Sequence, residues 1–137
     1  MRDKKGYVHC KYLDDLAIPL HNQHTNFLGK EDNRWKRWKK QRKEYGFDDR
    51  ETWNLEKMFV EWIYTRFKMY KEIGGQVINL SFHKFDYNGK MITQEEAIDI
   101  ILEACERCLI SNNDLLDDSL PEEIYVLIGR VMPAMWW

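Results

Sequence analysis

The sequence has few cysteines and no long apolar run. Three cysteines among 137 residues are an odd number, which argues against the disulfide framework of a small secreted domain. No stretch of eighteen apolar residues occurs, so no membrane-spanning helix is predicted. The charged start, residues 1–6, is not followed by an apolar segment, so no signal peptide is predicted either. We therefore expect a protein of the cytoplasm.

Catalytic signatures are also missing. The sequence has no Gly-x-Ser-x-Gly elbow, no Walker loop, no His-Glu-x-x-His motif and no dinucleotide-binding fingerprint. Cys10 follows His9 directly, and neighbouring residues of an extended segment point to opposite sides, so the two do not form a dyad. Adjacent acids such as Asp48 and Asp49 fit helix caps better than a two-carboxylate active site. We therefore expect a protein that is not an enzyme and uses no cofactor.

One cysteine pair has the spacing of a metal site. Cys105 and Cys108 stand three residues apart, and His21 with His24 could complete a set of four zinc ligands. Both cysteines, however, fall on the apolar stripe of a predicted helix, where cysteine behaves as a small apolar residue. We therefore predict no metal site.

Aromatic residues are abundant, and the charges are unevenly distributed. Six Trp, seven Tyr and six Phe either fill the core or form a binding surface. The net charge is only −2, but residues 34–43 hold seven basic residues and no acidic one. Residues 86–125, in contrast, hold eleven acidic and two basic residues. Such blocks of like charge often are interaction surfaces.

The strongest helical pattern covers residues 48–75. Apolar side chains recur at steps of three and four in two adjacent rows, which makes a wide apolar face and predicts a central helix. Asp48, Asp49 or Thr52 is expected to cap its start, and Gly74 with Gly75 to end it. The rows consist of Leu55, Phe59, Trp62, Ile63, Arg66, Tyr70 and Ile73, and of Trp53, Val60, Tyr64 and Phe67.

Residues 49–55 read Asp-Arg-Glu-Thr-Trp-Asn-Leu and are followed by Arg66-Phe67 and Tyr70-Lys71. A second segment contains Thr93-Gln94-Glu95-Glu96 and then Ile101-Leu102-Glu103. These two segments resemble those of a group of small proteins encoded by tailed phages and prophages. The resemblance covers residues 47–103. It implies a viral accessory protein made in a bacterial host, and it carries over no catalytic residue.

The whole pattern predicts an α+β fold, a mostly helical single domain over residues 1–137 with a small antiparallel hairpin. Residues 1–30 are predicted to be an extended N-terminal arm on a helical body of residues 31–137. The hairpin is predicted within residues 76–93, because Asn88-Gly89 is a strong type I′ turn signal.

Three further elements complete this prediction. Alternating Ile78, Leu80 and Phe82 indicate a strand that pairs with the hairpin. Thr93 and Glu96 have the spacing of a capping box, which predicts a helix over residues 94–110. Another helix is expected to start at Pro121 and to end before Pro133.

Residues 31–45 predict a basic surface helix that is capped by Asp32 or Asn33 and ends at Gly46. Arg and Lys neutralise phosphate, and Trp offers a face on which a base can stack. We therefore predict that this helix binds a phosphate-bearing ligand, either a nucleotide signal or nucleic acid. The candidate binding residues are Arg34, Trp35, Arg37, Trp38, Lys40 and Arg42.

Two alternatives give this helix a structural role. Either its Trp side is buried and its basic face is merely solvated, or the helix lies against the acidic residues 86–125 of the same chain or of a second copy. The C-terminal Trp136 and Trp137 either dock on the body or stay exposed as a binding peptide.

The sequence thus predicts a phage-encoded accessory protein that acts in the host cytoplasm, on a process such as host defence. It binds a nucleotide or nucleic acid, or it inhibits a host protein through its charge polarity and aromatic tail, with a homo-oligomer as a further option.

Overall fold

A computed structural model describes residues 9–18, 32–110 and 119–137. These residues form five α-helices and one antiparallel pair of strands, which confirms the predicted mostly helical α+β fold with a small hairpin. Within those ranges, no helix is both long and apolar enough to cross a membrane. The chain divides by its contacts into two compact units, residues 1–61 and 62–137. The single domain of the sequence analysis stays a prediction.

The first unit contains two helices and the start of a third. Helix α1 is Lys11–Asp15, and it buries Tyr12 and Leu13. Residues 11–15 of the predicted extended arm are therefore helical, residues 9, 10 and 16–18 are not, and the rest of that arm lies outside the described residues. Helix α2 is Trp35–Tyr45, and it ends as predicted at Gly46, whose positive φ of 88° suits glycine.

Helix α3, Leu55–Ile73, begins later than predicted. Residues Asp49–Thr52 form a separate 3-10 turn, and Asp48 caps that turn by accepting the Arg50 amide at 3.1 Å. Asn54 Oδ1 accepts the Lys57 amide at 3.0 Å, which is the geometry of a helix N-cap. The prediction that Asp48, Asp49 or Thr52 caps the long helix was therefore wrong, because these residues belong to the turn before it.

The hairpin of the second unit is confirmed. Strand β1, Lys84–Tyr87, pairs antiparallel with β2, Lys90–Thr93, and Tyr87 lies opposite Lys90. Asn88 and Gly89 both have positive φ, 54° and 77°, as a type I′ turn requires.

The predicted third strand does not form. In the part of the chain that the structure describes, the sheet has two strands, and residues 78–82 form turns. Asn79 Oδ1 accepts the Ser81 amide at 2.9 Å, and the Asn79 carbonyl accepts the Phe82 amide at 3.2 Å. An asparagine side chain that bonds the backbone two residues on competes with strand pairing.

Two helices complete the second unit. Helix α4 is Gln94–Ile110, and its predicted capping box is present: Thr93 Oγ1 accepts the Glu96 amide at 3.2 Å and Glu96 Oε1 accepts the Thr93 amide at 3.1 Å. Helix α5, Glu122–Val131, follows Pro121 as predicted. The two helices pack on each other and on the hairpin. The buried side chains of this unit include Ile63, Tyr64, Phe67, Ile92, Ile98, Ile101, Leu127 and Val131.

Substitution of the observed cap tests the start of α3. We expect Asn54→Ala to lower the free energy of unfolding by about 1 kcal/mol, because the Lys57 amide loses its acceptor. Thr52→Ala should have a smaller effect, since its hydroxyl donates to the Asp49 carbonyl in an exposed turn. Urea unfolding followed by circular dichroism measures both. A larger loss for Thr52→Ala than for Asn54→Ala would contradict the assignment.

Candidate functional site

Helix α2 has two chemically different faces. Lys36, Lys39, Lys40 and Lys43 are spaced i, i+3, i+4 and i+7, so they share one face of the helix. All four are exposed, and none of them forms an ion pair with another described residue. We call this face the lysine stripe. It presents four uncompensated cations to solvent.

The opposite face meets the Asp48–Asp49 turn in a buried ion pair. Asp48 Oδ1 accepts from Arg50 Nε at 2.9 Å, and Asp48 Oδ2 accepts from the Arg50 guanidinium at 2.8 Å and from Arg42 at 3.0 Å. The side chains of Arg50 and Asp48 are only 3% and 4% exposed. A buried charge pair of this kind needs all its hydrogen bonds to be stable, and here the two arginines supply them.

Asp49 binds the same face of α2. Its carboxylate accepts from Trp38 Nε1 at 2.8 Å, from Gln41 Nε2 at 3.2 Å and from Arg37 at 2.9 Å. In return, Gln41 Oε1 accepts the Asp49 amide at 2.9 Å. Trp38 is therefore fixed by a hydrogen bond at its nitrogen, while its ring is completely buried.

Arginine side chains stack on the tryptophan rings of this region. The Arg50 and Arg34 guanidinium groups lie 4.4 Å and 5.1 Å from the centre of the Trp38 ring. The Arg42 guanidinium lies 4.7 Å from the Trp35 ring. Such contacts are favourable and stronger when solvent is excluded. We call the whole set the Arg–Trp–Asp cluster; it consists of Asp32, Arg34, Trp35, Arg37, Trp38, Gln41, Arg42, Asp48, Asp49, Arg50 and Trp53.

The ion pairs shift the pKa values of the aspartates. Hydrogen bonds from the Arg34 side chain and amide lower the pKa of Asp32 to about 2. Burial by itself would raise the pKa of Asp48, but the hydrogen bonds and charge of Arg50, with the charge of Arg42, outweigh it and lower that pKa. Both aspartates are therefore ionised at neutral pH and hold their arginines.

The structure divides the six predicted binding residues between the two faces. Lys40 belongs to the lysine stripe, and the other five belong to the Arg–Trp–Asp cluster. Trp38 has no exposed surface with which to stack on a base. The cluster arginines each contact an aspartate: Arg34 binds Asp32, Arg37 binds Asp49 and Arg42 binds Asp48.

Sequence reasoning missed Arg50 and gave its acidic neighbours only capping roles. A signal was present, because Asp48, Asp49 and Arg50 follow Gly46 closely, and Gly46 turns the chain at the end of the basic helix. Acids so close in sequence to an excess of cations are natural ion-pair partners. Asp49 and Asp48 form ion pairs with Arg37 and Arg42 of α2, whereas the lysines of that helix form no ion pair with the described residues.

The cysteine pair of α4 has the environment of a core residue. Cys105 is buried, and burial together with the nearby Cys108 raises its pKa to about 12, so its thiol stays protonated. Over the described ranges, no three His, Cys, Asp or Glu side chains are grouped so that they could hold a metal ion. His21 and His24 lie outside those ranges.

Comparison with known proteins gives no relative. No family model, no curated protein and no solved structure matches the chain. The resemblance to phage proteins therefore stays a prediction from the sequence.

Removal of the Asp48 charge tests the cluster. We expect Asp48→Asn to lower the free energy of unfolding by about 3–5 kcal/mol, because Arg50 is left as a buried charge without its anion. Asp32→Asn is the matched control and should cost much less, since its partner Arg34 is 40% exposed. Chemical unfolding of both variants measures the difference. Equal losses would show that burial does not make the Asp48 ion pair contribute more to the free energy of unfolding than the Asp32 pair does.

Acid should weaken the same interaction. The pKa of Asp48 is lower in the folded chain than its usual value of about 3.9, so the unfolded chain takes up the proton first as pH falls. The stabilisation by Asp48 is thus complete above the unfolded pKa and is lost as pH falls through the folded pKa. We expect the stability difference between wild type and Asp48→Asn to be constant above about pH 5 and to shrink below about pH 4. Urea titrations at a series of pH values measure it, and a difference that grows with acid would refute the assignment.

Proposed function

We propose that this chain is a non-enzymatic binding protein that holds the phosphate backbone of nucleic acid with the lysine stripe of α2. The observation that carries the proposal is the separation of the basic residues within one helix. Arg37 and Arg42 of α2 and Arg34 just before it contact aspartates, whereas the four lysines of the stripe are exposed and form no ion pair with the described residues.

The chemistry of the stripe favours a polyanion over a single nucleotide. Lysine is a flexible point charge that suits a phosphate backbone, whereas bidentate recognition of one phosphate is the speciality of arginine. The stripe extends over roughly 10 Å of helix, enough for contacts to successive phosphates. A nucleotide site on α2 would also need a stacking face, but Trp38 is fully buried and the half-buried Trp35 ring already contacts the guanidinium groups of Arg42 and Arg50. Residues 32–50 hold eight basic and four acidic residues, so this segment keeps an excess of four positive charges.

The biological setting that we propose comes from the sequence. The resemblance of residues 47–103 implies an accessory protein encoded by a phage and made in the cytoplasm of its bacterial host. Binding of nucleic acid would suit such a protein, because nucleic acid is the material on which both a phage and the host defences act.

A second candidate function is inhibition of a host protein through the C-terminal tail. Tyr70 Oη donates to the Trp136 carbonyl at 3.5 Å, and the Trp137 ring lies against Gly74, where a Cβ would come within 2.6 Å of Trp137 Cδ1. The tail backbone is thus held, but the rings of Trp136 and Trp137 are 76% and 60% exposed. Exposed Trp rings are favourable anchors for a protein partner.

The lysine stripe gives a direct test of the first function. We expect wild type to bind a labelled single-stranded oligonucleotide with an affinity that falls with salt, with a log–log slope of about −3 for four phosphate contacts. Lys36→Gln with Lys40→Gln should weaken binding and bring the slope to about half of that value. Fluorescence anisotropy at several salt concentrations measures both quantities.

The control variant carries the same change of net charge on the hairpin. Lys84→Gln with Lys90→Gln should leave affinity and slope nearly unchanged, because both exposed lysines lie on the strands of the other unit. An equal loss in this control would mean that net charge, not the stripe, drives binding. If the folded wild type binds no strand even at low salt, the tail-mediated inhibitor becomes the better proposal.

A further inference from the structure

Gln94, the first residue of α4, is fully buried and fixed by its amide nitrogen. Gln94 Nε2 donates to the Ala134 carbonyl at 3.4 Å and to Tyr70 Oη at 3.3 Å. A backbone carbonyl can only accept, so the NH₂ group of Gln94 must face Ala134. Tyr70 Oη in turn donates a hydrogen bond to the Trp136 carbonyl at 3.5 Å. This chain of bonds determines which end of the Gln94 amide carries the oxygen.

The oxygen of the same amide has no donor. Among the described residues, Gln94 Oε1 is the one buried side-chain nitrogen or oxygen without a hydrogen-bond partner. A buried acceptor that is left unsatisfied destabilises a fold, and native structures contain few of them. An unsatisfied acceptor next to a cleft is what a site for a hydrogen-bond donor looks like before the ligand binds.

Gln94 lines a cleft of about 250 Å³ within the second unit. Phe82 and Trp136 line it too, and each ring is 76% exposed. His83 packs edge-on against Phe82, with the ring centres 5.1 Å apart. Ile78 adds an apolar side chain. Two large exposed rings beside an apolar cleft provide faces on which a planar ligand can stack.

The size and charge of the cleft limit its ligand. It is smaller than the pockets that hold drug-sized molecules, so it suits a single ring system. No Lys, Arg, Asp or Glu is among its lining residues, so a phosphate or another ion would find no counter-charge there. The free acceptor of Gln94 requires an N–H or O–H donor on the ligand.

We propose that this cleft is a binding site for a neutral heteroaromatic ring with an N–H donor, the chemistry that nucleobases and indoles share. The ring stacks on Phe82 and Trp136, and a small shift of the cleft floor exposes the otherwise fully buried Gln94 Oε1, so that the ring N–H donates to it. The site belongs to the second unit and needs no phosphate, so it does not rest on the function proposed for the lysine stripe.

A matched pair of ligands tests the hydrogen bond. Indole carries an N–H, and 1-methylindole has the same ring without it. We expect indole to bind about tenfold more tightly, since one hydrogen bond to a buried acceptor distinguishes the two. Titration of ¹⁵N-labelled protein followed by NMR gives both affinities, and the Gln94 side-chain amide signal reports contact at the site. Uncharged nucleosides in the same titration show whether a nucleobase or an indole is the preferred ring, and preference for either supports the site.

Three variants locate the binding. Phe82→Ala should weaken the binding of every ring ligand by about tenfold, through lost stacking. Met91→Ala is the matched control, because Met91 is an exposed apolar residue outside the cleft, and it should change nothing. Gln94→Met removes the acceptor at similar length and should abolish the preference for indole over 1-methylindole. The proposal is overturned if wild type binds both indoles equally, or if neither the indoles nor the nucleosides shift any cleft signal at millimolar concentration.

Discussion

The buried contact of Asp48 with Arg50 and Arg42 is the interaction on which the first unit depends. A carboxylate and a guanidinium that are both almost completely excluded from water cannot be stable singly. Arg42 comes from α2, while Asp48 and Arg50 come from the turn before α3. The pair therefore holds helix and turn in one arrangement, and the stacking of Arg50 on the Trp38 ring adds to it.

This constraint separates the roles of arginine and lysine in α2. The planar guanidinium can bond a carboxylate with two nitrogens and stack on a ring at the same time, whereas the lysine ammonium can do neither as well. Arg37 and Arg42 of α2, and Arg34 just before it, accordingly contact the aspartates, and Arg34 and Arg42 also stack on Trp rings. The lysines remain on the outer face. The helix thus uses its arginines for folding, and its lysines are the residues that the proposed polyanion would contact.

The second unit contains the cleft at Gln94, whose chemistry differs from that of the lysine stripe. Its cleft is uncharged, and its features are two exposed rings and one buried amide oxygen without a donor. Gln94 starts α4 directly after the capping box of Thr93, and Trp136 reaches the cleft because its carbonyl is bonded by Tyr70. If both proposals hold, the chain offers a phosphate contact in one unit and a ring contact in the other.

Local sequence determined the elements whose signals act over a few residues. The Asn88-Gly89 turn, the Thr93–Glu96 capping box, the helix after Pro121 and the end of α2 at Gly46 were all predictable, because each depends on backbone conformation or on a cap within one turn. The start of α3 and the missing strand at residues 78–82 were predicted wrongly although their causes are local too, because the apolar pattern was given more weight than the Asn54 cap and the Asn79 turn. The composition of α2 was likewise visible in the sequence as a basic, Trp-bearing helix.

Only the tertiary structure decided which of its cations remain available, since that depends on which side chains face Asp32, Asp48 and Asp49. The cleft at Gln94 was also beyond the sequence, because residues from three separate segments meet there and no local pattern records their approach.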